Sequence, residues 1–110
     1  MASTYKVLGQ VVPSSPNTET DVYTVPANTQ AVISTIIVAN LQTVSGVFRI
    51  AVRPDAEALA DKHHIAFDVP LIGTDSTTLT LGLTLDAGDV ITVRTDLDTV
   101  AFNVFGSEIT

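Results

Sequence analysis

The chain has 110 residues, with five Lys and Arg against twelve Asp and Glu, and so a formal net charge of −7. It contains no cysteine, which excludes disulfide frameworks, thiolate metal sites and cysteine nucleophiles. So acidic a chain lacks the basic surface that neutralises nucleic-acid phosphates. At 45% hydrophobic and 15% charged it is too apolar for a disordered chain. The length fits one domain, residues 1–110, with no internal repeat or linker, no membrane span and no signal-like amino terminus.

Taken in chain order, the elements are strands. Thr4 to Val12 places Tyr5 and Val7 on one face and Leu8 on the other, with Gly9 at a bulge. Asp21 to Val25 is short and stops at Pro26. Ala31 to Asn40 is apolar on both faces, which expects a central strand or one covered by a partner. In 47–53, Phe48, Ile50 and Val52 alternate inward while Arg49 and Arg53 face out. Asp55 to Lys62, after Pro54 and with Asp55 as cap, is the one helical candidate. His63 to Val69 follows as a strand. From 77 to 85 the alternation is strict, with leucine at 79, 81, 83 and 85 and Thr or Gly between them. Val90 to Thr95 and Thr99 to Phe105 complete about eight strands. Asp86-Ala87-Gly88-Asp89 and Asp96-Leu97-Asp98 read as short hairpin connections, with Gly88 at a positive φ. The expected fold is all-β: a single-domain antiparallel β-sandwich, jelly-roll-like or immunoglobulin-like.

The search for chemistry is largely negative. His63 and His64 are adjacent on an expected strand, so their imidazoles would diverge and could not share an ion. The four aspartates at 86, 89, 96 and 98 would hold calcium only if their loops lay side by side; turn chemistry explains them more simply. Ser34, Ser45 and Ser107 lack the Gly-x-Ser-x-Gly elbow, and no phosphate-binding glycine loop occurs. No enzyme, metal or cofactor is expected. With no Trp, two Tyr and four Phe, a carbohydrate- or cell-surface-binding module is a secondary alternative. The interaction candidates are Arg49 and Arg53 as a basic stripe and Asp86, Asp89, Asp96 and Asp98 as an acidic rim, a pattern that would let copies associate head to tail into a ring or trimer. Ile109 is a candidate apolar anchor near the chain end.

Longer stretches carry a resemblance. They are Tyr5-Lys6-Val7-Leu8-Gly9-Gln10, Tyr23-Thr24-Val25-Pro26-Ala27, Ser34-Thr35-Ile36 with Val38-Ala39-Asn40, Arg49-Ile50-Ala51-Val52-Arg53-Pro54, the strand from Leu79 to Leu85, and Phe105-Gly106-Ser107-Glu108-Ile109-Thr110. Together these resemble a group of short virion proteins of tailed bacteriophages, including phages of cyanobacteria, over essentially the whole chain. The resemblance brings no catalytic or cofactor motif. It implies a structural part of a phage particle without fixing head, neck or tail. The leading expectation is a non-enzymatic neck or tail attachment or fibre subunit, assembled in the host cytoplasm, whose partners are other virion proteins and copies of itself. A head decoration protein is the alternative.

Overall fold

The computed structural model describes residues 2–110. It contains eight strands: β1 (Ser3–Val11), β2 (Thr20–Thr24), β3 (Gln30–Asn40), β4 (Gly46–Arg53), β5 (His64–Leu71), β6 (Ser76–Leu85), β7 (Val90–Thr95) and β8 (Val100–Ile109). Period-two alternation turns directly into packing. Leu79, Leu81 and Leu83 lie against the core and Leu85 is buried, while Thr78, Thr80, Gly82 and Thr84 are exposed. In β4 the same rule buries Phe48 and Ile50 completely and leaves Arg49 and Arg53 on the outer side.

The strands form two four-stranded antiparallel sheets, sheet I in the order β1-β8-β3-β6 and sheet II in the order β2-β7-β4-β5. The pairs β1·β8, β2·β7, β3·β6 and β4·β5 all hydrogen-bond. The first half of the chain therefore runs antiparallel to the second as one long ribbon, rolled so that its two faces close on each other. Only β4 and β5 are consecutive strands within one sheet; every other connection crosses between sheets. That is the eight-stranded jelly roll, and the pairing of first strand with last separates it from an immunoglobulin-like order.

The core lies between the sheets. Phe48 of sheet II meets Phe102 of sheet I edge to face, with ring centroids 6.4 Å apart and planes at 71°, a geometry worth about 0.5–1.5 kcal/mol beyond the area buried. Ile33, Ile36, Val38 and Val104 surround the pair from sheet I, and Ile50, Ile91 and Val93 from sheet II. β3 is central in its sheet, between β8 and β6; Ala31, Ile33, Ile36 and Val38 of its apolar run are buried in the core, while Val32 and Ile37 lie on the outer face. The register of β1 on β8 slips between Val7 and Gly9, so the bulge sits where Gly9 pointed. A side chain on Gly9 would collide with the Val22 carbonyl of β2.

Three expectations are corrected. The loops at 86–89 and 96–99 are arches between sheets rather than hairpins, although Gly88 does adopt φ +87. Residues 55–62 form no α-helix. Two 3₁₀ turns, Pro54–Ala56 and Asp61–His63, bracket an irregular stretch. Asp55 and Ala56 both have positive φ, the Asp55 N–H donates to Asp89 Oδ1 at 3.0 Å, and Arg53 Nη1 takes the carbonyls of Ala56 and Glu57. Those are carbonyls a helix would have used itself. Finally, His63 belongs to the second turn rather than to β5, and it is buried.

Candidate functional site

The outer face of sheet II is charged and satisfied within the chain. Arg49 of β4 stands directly opposite Arg94 of β7, a like-charge pairing that costs stability unless each cation is answered. Each is. Arg49 donates from Nε to Asp68 Oδ1 at 2.6 Å and from Nη2 to Asp68 Oδ2 at 3.3 Å, and its guanidinium lies 4.0 Å from the centre of the Phe67 ring. Arg94 Nη1 donates to Glu19 Oε1 at 2.9 Å. The hydrogen bonds from Arg49 hold the Asp68 carboxyl below its ordinary range. A polar cleft of about 210 Å³ runs between these groups, lined by Arg49, Asp68, Arg94, Asp96 and Asn17.

Arg53 is spent even more completely. It donates to Thr92 Oγ1 at 2.9 Å, Asp21 Oδ1 at 3.1 Å, Glu57 O at 2.9 Å and Ala56 O at 3.3 Å. The guanidinium thus ties β4 to β7, β2 and the turn that follows. Arg49 and Arg53 do share the outer face of one strand, as the alternation expected, but each meets its carboxylate inside its own chain. The remaining cations are paired as well, Lys6 with Glu108 and Lys62 with Glu57. Five carboxylates answer the five cations. The seven others, all aspartates, have no ion-pair partner among the described residues and make up the net charge.

The aspartate loops lie at opposite ends of a sandwich 45 Å long. They are separated by the six residues of β7, about 20 Å at 3.3 Å per residue. The four side chains at 86, 89, 96 and 98 therefore cannot surround one cation, and no group of three or more His, Asp or Glu among the described residues is arranged to hold a metal. Asp89 caps its own end: Oδ1 accepts from Asp55 N and Oδ2 from Asp86 N, at 3.0 and 2.8 Å. Asp96 Oδ1 accepts from Val47 N at 2.9 Å, and Asp98 N donates to Gln42 Oε1 at 3.0 Å. Ile109 is half-buried as the last residue of β8, paired with Ser3 and Gln30, and Thr110 and Ala2 exchange two backbone bonds of 2.9 Å beside it. His63 Nδ1 accepts from Ala60 N at 3.0 Å, which leaves the ring proton on Nε2, 3.2 Å from Glu57 Oε1. His64 instead meets Phe67 edge-on at 5.0 Å. The two rings diverge, though a turn rather than a strand parts them.

The outer face of sheet I is the opposite in character. Register places Tyr5, Val7 and Gln10 of β1 beside Ser107, Phe105 and Asn103 of β8, and these beside Val32, Thr35 and Ile37 of β3. β6 adds the hydroxyls of Thr78, Thr80 and Thr84. Among the described residues no charged side chain stands on this face. The two charged side chains of its described strands, Lys6 and Glu108, turn to the other side, where Lys6 Nζ and the Tyr23 hydroxyl of sheet II donate to Glu108 at 3.0 and 2.6 Å. Those bonds, the tyrosine's first, hold Glu108 below its ordinary range; burial and the same carboxylate push the Tyr23 phenol well above its own. Tyr5 is 86% exposed and Val7 46%. They border a shallow groove of about 550 Å³ with Val32, Ser34, Phe105 and Ser107.

Sequence reasoning located the charged stripe and flagged β3 as apolar on both faces, but did not extend that uncharged face to β1, β6 and β8. Its signal was present: β3, β6 and β8 offer no charge at any outward position, a pattern visible once their alternation is aligned. No protein-family model matches the chain, and no curated protein matches it either.

Proposed function

We propose that this chain is a non-enzymatic structural subunit of a tailed-phage virion, placed at the neck or tail, and that it works by self-association through the outer face of sheet I. The observation that carries the reading is the absence of charge across four adjacent strands of that face, where Tyr5, Val7, Val32, Ile37 and Phe105 stand among threonines and amides. A solvated face of a sandwich ordinarily alternates apolar inward with charged or polar outward. The same chain does so on sheet II. Four strands about 4.8 Å apart and about 30 Å long present a footprint of roughly 600 Å² per partner, near the lower bound of stable interfaces. Two uncharged faces can meet without desolvating an ion, which is the costly step in burying a surface.

The resemblance of the sequence to short phage virion proteins supports the particle as the setting. The test is a copy count. Phage particles purified from cells that carry this gene are digested and the chain is quantified against the major capsid protein by mass spectrometry. One or two rings' worth of copies per particle is the expected result. Hundreds of copies would move the protein to the head surface as decoration, and none would remove it from the virion.

A further inference from the structure

At the end of the sandwich where β3, β5 and β7 finish, three aliphatic side chains face solvent on loops: Leu41 is 60% exposed, Val44 59% and Ile72 64%. Exposed aliphatics on loops are normal singly. Here three lie on two adjoining loops, because those at 41–45 and 72–75 are locked to each other. Thr74 N donates to Gln42 O at 2.7 Å and Gly73 N to Ser45 Oγ at 3.1 Å. The buried Asn40 donates from Nδ2 to Val44 O at 2.9 Å and to Ile72 O at 3.4 Å, and accepts from Gln42 N at 2.9 Å. Gln42 Oε1 in turn accepts from Asp98 N and Thr99 N, so the arch at 96–99 joins the same unit. The knob is fixed in shape before any partner arrives, which lowers the ordering cost of binding.

Its surroundings define what it fits. Asp75, Asp96 and Asp98 are exposed on these same loops, and none has a cationic partner among the described residues. We infer that this loop end is a second docking surface, a preformed aliphatic knob with an acidic rim that seats in an apolar pocket rimmed by Lys or Arg on a different protein. A second copy is a poor occupant, since every Lys and Arg of this chain is already ion-paired and its loop ends repel one another. An anionic membrane is disfavoured by the same aspartates. The inference stands apart from the sheet I interface, which uses other residues on another face.

The probe is a cationic amphipathic peptide of leucine and lysine, titrated into the isotopically labelled full-length protein while amide shifts are followed by NMR. The opposite end of the sandwich is an internal control, because Asp55, Asp86 and Asp89 supply acidity there and none of its described loop residues is a large exposed aliphatic. Shifts confined to 41–45, 72–75 and 96–99 are expected, with the paired substitution Leu41→Ser and Ile72→Ser weakening binding about tenfold or more. Asp98→Asn should weaken it less and flatten its salt dependence. Equal shifts at both ends would reduce the effect to bulk charge and overturn the inference, as would no binding at all. Binding of phosphatidylcholine vesicles through the same amides would replace it with a membrane contact. Shifts of those amides on raising protein concentration alone would replace it with a second copy.

Discussion

Asn40→Ala isolates the bonds that hold the loop end together. Asn40 is 3% exposed and its side chain makes two good hydrogen bonds, to Val44 O and from Gln42 N at 2.9 Å each, and a longer one to Ile72 O at 3.4 Å. At about 1 kcal/mol net for each good bond and less for the long one, truncation costs about 2–3 kcal/mol. Against a typical stability of about 5–15 kcal/mol that is a large fraction, and it lowers Tm by about 10 °C for a domain near this size. Asn40→Asp keeps the acceptor for Gln42 N but sets a carboxylate against two carbonyl oxygens. It should cost at least as much at neutral pH, despite its identical shape. Urea unfolding gives the free energies, and amide exchange shows where the loss falls: residues 41–45 and 72–75 should open first. A loss under about 0.5 kcal/mol for Asn40→Ala would refute the reasoning, because three backbone groups would then have lost their side-chain partner at no cost.

Three further outcomes follow from the interior and the sheet pairing. Phe102→Ala removes a fully buried ring that meets Phe48 across the sandwich, and urea denaturation should show a loss of about 3–5 kcal/mol. Gly106→Ala drives a Cβ into the Val32 carbonyl on the paired strand, where backbone cannot yield cheaply. A loss of about 1–3 kcal/mol is expected, read from the midpoint of thermal unfolding. Glu108, held below its ordinary value of 4.5, contributes stability that is present above that value and lost as pH falls through the lower folded one. Tyr23, raised above 10.0, contributes stability present below that value and lost as pH rises toward the higher folded one. Tyr23→Phe removes the donor that does most to depress Glu108, so its acid unfolding should begin at higher pH than that of the wild type; an unchanged acid limb would contradict this.

How much was legible depended on the range of the interaction. Alternation is local, so Leu79 to Leu85 and Phe48-Arg49-Ile50 declared their strands and their faces, and most strand bounds fell within two residues of the structure. Turn residues are local too, but their partners are not. Asp86 to Asp89 reads the same whether the next strand returns beside β6 or crosses to the other sheet, and only the register of the whole ribbon decides it. The expected helix at 55–62 failed for a similar reason. Asp89 and Arg53, both outside it, claim its backbone groups. Arg49 and Arg53 were correctly placed on one outer face, yet their partners Asp68 and Asp21 come from strands whose adjacency composition does not reveal. The knob at 41–45 and 72–75 was equally hidden, since its three aliphatics lie on loops brought together by the sheet crossings.

The claim on which the functional account turns is that the uncharged face of sheet I is a subunit interface. Sedimentation equilibrium of the full chain, alongside a variant carrying Tyr5→Glu and Val7→Glu, tests it most directly, because both positions are exposed enough to accept charge without disturbing the core. The account predicts a discrete small oligomer for the wild type and an 11.6 kDa monomer for the variant. A wild type that stays monomeric at every concentration, or a variant that assembles equally well, would contradict it.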